Sequence, residues 1–206
     1  MEASTIAQGQ GRKPGPVAIP PGLGRFVRFV FGTIEYVEMD SRGIQERVRK
    51  RYGPQMTELA GLGFEQLCFY GEAFSTARFL FVIPAITVLS MLIERRPLRI
   101  HEGTKIMACY PLLVSGDKTT YANPCEMDVK LFTAFTDGTF LVSATGRGID
   151  AAGPTMTKHC GAATIGEAWS SHRLRIREFQ SAGKCVDRQI SFRRFRDLSQ
   201  RETELL

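Results

Sequence analysis

The residue whose type and setting come nearest to chemistry is His172. It lies three positions after Trp169 and four before Ile176, so the imidazole shares one helical face with apolar side chains. An imidazole so placed has two uses. It can hydrogen-bond to the sheet beneath it, through a backbone carbonyl or a hydroxyl such as that of Thr136 or Ser143. It can also be the polar anchor of an apolar groove between helix and sheet, the usual character of a small-molecule site. Trp169 and, from a strand, Lys130 complete the candidate ligand-binding set with His172. Neither a nucleophile nor a paired carboxylate can be matched to His172 by spacing, so no catalytic residue and no cofactor is assigned.

Three other patterns carry less. The segment Gly146-Arg-Gly-Ile-Asp-Ala-Ala-Gly153 lacks the Gly-Lys-Ser/Thr ending of a phosphate loop and the spacing of a dinucleotide fingerprint, and Pro154 follows where a helix should be under way. It reads as a loop. The five cysteines, Cys68, Cys109, Cys125, Cys160 and Cys185, include no C-x-x-C pair, and in a strand the neighbours His159 and Cys160 would point apart. The expectation is reduced thiols and no metal site. Phe192-Arg-Arg-Phe-Arg196 interleaves aromatics with cations, as a basic amphipathic helix on an anionic membrane does. The same composition could grip nucleic acid, but no nucleic-acid motif accompanies it.

Charge points the same way. The chain of 206 residues carries a net +6, from 27 Lys and Arg against 21 Asp and Glu. Nine basic residues and three acids between Arg173 and Arg201 equal that excess on their own. Residues 79–93 (FLFVIPAITVLSMLI) contain no charge. As a helix they would span roughly 22 Å, short of the ~30 Å bilayer core. A complete crossing would also leave the basic Arg47, Arg49, Lys50 and Arg51 on the far side, against the positive-inside tendency. Entry from one side, or a place in the interface, avoids both difficulties. A buried helix or strand pair is the competing reading, since the run is rich in β-branched residues and Pro84 could divide it.

The elements that must position these residues follow from period and punctuation. Met1 to Gly24 is rich in Gly and Pro and reads as a flexible arm. Residues 25–31 (RFVRFVF) have no clear period. Ser41 is placed to cap a helix whose apolar stripe is Ile44, Val48, Tyr52, Met56 and Leu59, with Pro54 expected to bend or split it. Phe64 to Tyr70 reads as a strand, as do Ile106 to Val114 and the stretch before Pro124. Val129 to Thr136 and Thr139 to Thr145 flank Asp137-Gly138, which predicts a two-residue type I′ hairpin. That loop would pair Phe135 with Phe140, Thr133 with Val142 and Leu131 with Ala144, uniting those six residues on one apolar face. Thr164 and Glu167 form a capping-box pattern opening a helix with the stripe Ile165, Ala168, Trp169, His172, Ile176 and Phe179, ended by Gly183.

The order of elements predicts an α+β fold: an antiparallel β-meander packed against amphipathic helices, with one strongly apolar segment at 79–93. Residues 1–24 form the arm, 25–183 a single domain that includes an apolar segment at 73–93, and 184–206 a basic C-terminal segment. The function expected from these features is a membrane-associated, non-enzymatic domain on the cytoplasmic side. Membrane lipid would be its partner, together with a small apolar ligand or a protein. The alternative is a soluble, cytoplasmic small-molecule enzyme with an apolar pocket near His172. Nucleic acid is not favoured.

Overall fold

A computed structural model of the chain describes residues 34–74, 106–126 and 128–205. The expected arm, the 25–31 stretch and the apolar run at 79–93 lie outside these residues. Among the described residues eight strands form one sheet in the order β1-β2-β3-β4-β5-β6-β8-β7. They are β1 (Ile34–Glu38), β2 (Phe64–Phe74), β3 (Ile106–Ser115), β4 (Tyr121–Pro124), β5 (Val129–Ala134), β6 (Phe140–Thr145), β7 (Ala151–Ala152) and β8 (Met156–Ala162). Helix α1 (Arg42–Gly61) links β1 to β2, α2 (Ile165–Ser181) follows β8, and α3 (Phe192–Leu205) closes the chain. The fold is thus α+β with a mostly antiparallel sheet. The first six strands form a meander, and only the pairing of β6 with β8 is parallel.

Both faces of the sheet are covered. On one, Leu59 of α1 and Ile165, Ala168 and Trp169 of α2 pack on Phe64, Leu113, Ala122, Val129 and Leu131. On the other, Phe195 and Leu198 of α3 pack on Tyr36, Tyr70, Tyr121, Phe132, Phe140 and Val142. The C-terminal segment is therefore part of the core. The ring of Phe195, fully enclosed, lies 5.3 to 6.5 Å from those of Tyr70, Phe132, Tyr121 and Tyr36. A side chain so enclosed has no reach to a lipid surface.

Two local expectations are corrected. Helix α1 runs unbroken through Pro54. Pro54 removes the hydrogen bond to the carbonyl of Lys50, but both residues face solvent, where water satisfies that oxygen. Burial of Val48, Tyr52 and Leu59 on either side keeps the helix from splitting at the gap. The second correction is the hairpin between β5 and β6. Phe135 N–H donates to the Thr139 carbonyl (2.9 Å), Gly138 N–H donates to the Phe135 carbonyl (3.0 Å), and Gly138 alone in the turn has positive φ, at 82°. This is a three-residue loop, a type I turn closed by a left-handed glycine, rather than type I′, which needs positive φ at Asp137 as well. Asp137 instead accepts hydrogen bonds from the backbone (2.9 Å) and hydroxyl (2.7 Å) of Thr139.

The longer loop slips the register by one. Thr133 pairs with Leu141, Phe132 with Val142, and Ala134 with Phe140. The side chains expected on one face are consequently divided between two. Leu131, Thr133 and Leu141 lie under α1 and α2, while Phe132, Phe140 and Val142 lie under α3.

Truncating Phe195 to Ala should cost about 3–5 kcal/mol, the usual price of an aromatic cavity in a closed core. Urea unfolding checks this; a loss below about 1 kcal/mol would show that α3 is dispensable to the core.

Candidate functional site

Helix α2 forms where the sequence places it. Glu167 N–H donates to the Thr164 hydroxyl (3.1 Å), and the Glu167 carboxylate accepts from the N–H of Ala163 (3.0 Å), one residue before the cap. Gly183, with φ at 87°, follows its end. The stripe it turns to the sheet carries Trp169 edge-on to Phe64 (4.9 Å) and stacked beside His172 (6.2 Å).

His172 is fully enclosed, and both ring nitrogens are engaged. Nε2 is 2.9 Å from the Thr133 hydroxyl and Nδ1 is 2.8 Å from that of Ser143. Ser143 is the partner foreseen in the sequence. Thr136 is not, because it sits in the hairpin turn with its N–H on the Cys185 carbonyl. Beyond Thr133 the network continues through Thr120 (2.7 Å) and Thr119 (3.3 Å) to Asp117, which accepts from Thr119 (2.9 Å). Burial alone would raise the Asp117 carboxyl, but hydrogen bonds from Ser115 and Thr119 outweigh it and hold it below its ordinary value. An ionised carboxylate only accepts, and that sets the direction of every bond behind it. Thr119 donates to Asp117, Thr120 to Thr119, Thr133 to Thr120, and the imidazole N–H at Nε2 to Thr133, leaving Nδ1 to accept from Ser143.

Burial, with smaller contributions from the charges of Arg175 and His159, lowers the His172 pKa to about 3. At neutral pH the ring is uncharged and its one lone pair is occupied. It clasps α2 to β5 and β6 and is closed to solvent.

A cleft of about 250 Å³ lies beyond Ser143, between β6, β8 and α2, lined among others by His159, Cys160, Ser171 and Arg175. Burial and the nearby Arg175 lower the pKa of His159, so Arg175, which donates to Ser171 (2.7 Å), is the cation of this cleft. Cys160 is no thiolate, because burial raises its pKa. Its Sγ would come within 2.6 Å of a Cβ placed on Gly148. The glycine at that point of the 146–153 segment thus answers to close packing over Cys160. Among the described residues no cluster of His, Cys, Asp and Glu could hold a metal ion.

Lys130 lies on the opposite face of the sheet from His172 and Trp169, so the structure does not unite the three. Its Nζ is 3.1 Å from the carboxylate of Glu202 on α3, which also binds Lys158 of β8 (2.7 Å). Glu202 is only 2% exposed. Burial by itself would lower the Lys130 pKa, and the Glu202 charge reverses the effect and raises it. Lys158 and Glu202 were missed in the sequence. Lys158 alternates with Met156 in a strand facing the core, where a lysine calls for an anion, but nothing local says that the anion comes from residue 202.

Three strand ends meet at one corner of the sheet. Ile34, which starts β1, pairs with Phe74, which ends β2, and Ala73 pairs with Ile106, which starts β3. Among the described residues no helix is long and apolar enough to cross a membrane. No family model, curated protein or solved structure matches the chain.

Two measurements test this arrangement. Unfolded His172 would titrate near 6.5, so between about pH 6.5 and 3 the unfolded chain binds the extra proton. Stability contributed by the neutral imidazole is complete above 6.5 and lost as pH falls, by at most ~1.4 kcal/mol per unit. His172→Gln should flatten that dependence while lowering stability at pH 7. An unaltered slope would overturn the assignment. Glu202→Gln strands two lysines and should cost about 3 kcal/mol in urea unfolding, whereas a neutral result would show the pair to be solvated.

Proposed function

We propose that the protein is a membrane-associated, non-enzymatic α+β domain held on the cytoplasmic face by its uncharged run at 79–93. The observation that carries this reading is the pairing of Ala73 with Ile106. Residues 75 to 105, thirty-one in all, connect two neighbouring positions of the sheet. A single crossing would separate Phe74 from Ile106 by a bilayer core of ~30 Å, which the pairing forbids. Two crossings need about 40 apolar residues, more than are present. Insertion from one side is the membrane geometry that satisfies both limits. The stretch at 25–31, three phenylalanines and two valines with Arg25 and Arg28, precedes β1 in the chain, and β1 starts at Ile34 in the same corner.

The ligand half of the reading rests on the cleft beside α2. At about 250 Å³ it falls just under the usual range of small-molecule pockets and has room only for a compact ligand, and the lining by Arg175 and Glu167 favours a polar one over the apolar ligand that composition suggested. The rival reading, a soluble enzyme built on His172, draws on a ring that is uncharged at pH 7 and closed to solvent.

The double variant Ile86→Asp with Val88→Asp should move the protein from the membrane pellet to the supernatant with its urea midpoint unchanged, because charges are intolerable in lipid but harmless to a fold that excludes the run. Loss of cooperative unfolding in this variant would instead make 79–93 part of the core and end the membrane reading.

A further inference from the structure

The first half of α1 carries a surface that neither its packing nor its helix geometry explains. Between residues 42 and 51 stand Arg42, Arg47, Arg49, Lys50 and Arg51 against the single acid Glu46, and all six are exposed. The core face of the helix takes Val48 and Tyr52, so these cations cover the rest of its circumference. The first turn holds no acid. Arg42, in that turn, opposes the macrodipole, whose N-terminal pole is positive. Some of the charge is shared within the fold. Arg51 pairs with Glu126, Arg49 lies 5.4 Å over the Phe69 ring, and Arg47 donates to the Gly43 carbonyl (3.2 Å). A surplus of positive charge remains.

Its position is specific. Tyr52 packs on Tyr110 (5.9 Å), Leu59 packs with Leu113, and the Gly63 carbonyl accepts from Gly116 (2.9 Å). Helix α1 therefore runs alongside β3 in the same direction, and its first turns point to the end where β3 begins at Ile106. That is the corner at which β2 ends and β3 begins, the two points between which the apolar run lies in the chain. Three of the four arginines of α3 are engaged within the fold, and Arg193 is exposed: Arg194 binds Asp187 (2.7 Å), Arg196 lies 3.6 Å from Asp197, and Arg201 donates to the Gly138 carbonyl (2.9 Å).

We infer that the exposed basic face of α1, centred on Arg42 and Lys50, docks on the anionic phospholipid headgroups of the bilayer that receives the apolar run. The inference rests on the proposed membrane attachment and adds the identity of the lipid. Cations beside an inserted apolar segment meet the headgroup layer, where phosphates and carboxylates neutralise them and the negative surface potential draws each one in.

The test is flotation of the full-length protein with extruded vesicles, either pure phosphatidylcholine or phosphatidylcholine with 30% phosphatidylglycerol. The wild type should bind both, and more strongly the anionic kind at low salt, with the difference fading as salt rises. Arg42→Gln with Lys50→Gln should lose roughly fivefold of the anionic increment for each charge removed and keep its binding to phosphatidylcholine. Arg42→Lys with Lys50→Arg should retain the increment. Failure of the wild type to float with either vesicle would refute the membrane attachment itself. Binding to both vesicles that ignores the α1 substitutions would refute the docking face alone. So would loss of the increment on substituting Arg193 and Arg196 instead, or tight binding to duplex DNA, abolished by the α1 pair, without any anionic-lipid preference.

Discussion

The alignment of β5 against β6, closed by the turn at Gly138, fixes which helix each buried side chain of these central strands meets. Side chains alternate across a strand, so a one-residue slip between β5 and β6 would carry half the core to the wrong helix. With Gly138 in the left-handed region, Leu131 and Leu141 meet α2 while Phe132 and Val142 meet α3. The same alignment places Thr133 and Ser143 on one face, near enough to hold the two nitrogens of one imidazole. Because both faces of these strands are covered, neither register could be relieved by exposing a side chain to water.

The two faces solve the cost of buried polarity by different chemistry. Under α2 the network is neutral apart from Asp117, which lies at its outer end and orders the hydroxyls and the imidazole behind it. Under α3 it is ionic, with Glu202 shared between Lys130 and Lys158 on strands that flank β6. An ionic cluster gains little net stability over an apolar one, yet it penalises any shift that separates the charges. Tyr36, bonded to Ser199 (3.1 Å), adds a third polar tie between α3 and the sheet. Helices α2 and α3 are thus located along the sheet by directional bonds as well as by apolar area, which is non-directional.

This rigid body concentrates its unexplained features at one corner. Three strand ends, among them the two between which the apolar run lies in the chain, and the basic half of α1 lie together there, whereas the cleft beside Arg175 opens between α2 and β8. On the proposed attachment, the sheet stands on the membrane by the β1-β2-β3 end, and the cleft lies across the sheet at β6 and β8. Association and ligand binding would then use different parts of the same scaffold.

The sequence alone determined what depends on local period and punctuation. The apolar stripes of α1 and α2, the Thr164–Glu167 cap, the end at Gly183 and the site of the hairpin at Asp137-Gly138 are all properties of neighbours within a few residues. The tertiary structure decided what depends on distant partners. Whether Asp137-Gly138 closes a two- or three-residue loop is a difference of one positive φ, and it was settled by where the strands pack. Pro54 stays helical because Val48, Tyr52 and Leu59 are buried on each side. Phe195 reads as a lipid-seeking aromatic until the sheet supplies a ring of tyrosines to receive it, and Lys130 reads as a ligand contact until Glu202, seventy-two positions away, arrives beside it. His172 was legible as a buried polar anchor, but its fate as a clasp, and not the wall of a groove, required Thr133 and Ser143 to be brought together by strand pairing. Periodicity tells which residues share a face; only the closed fold tells which face meets them.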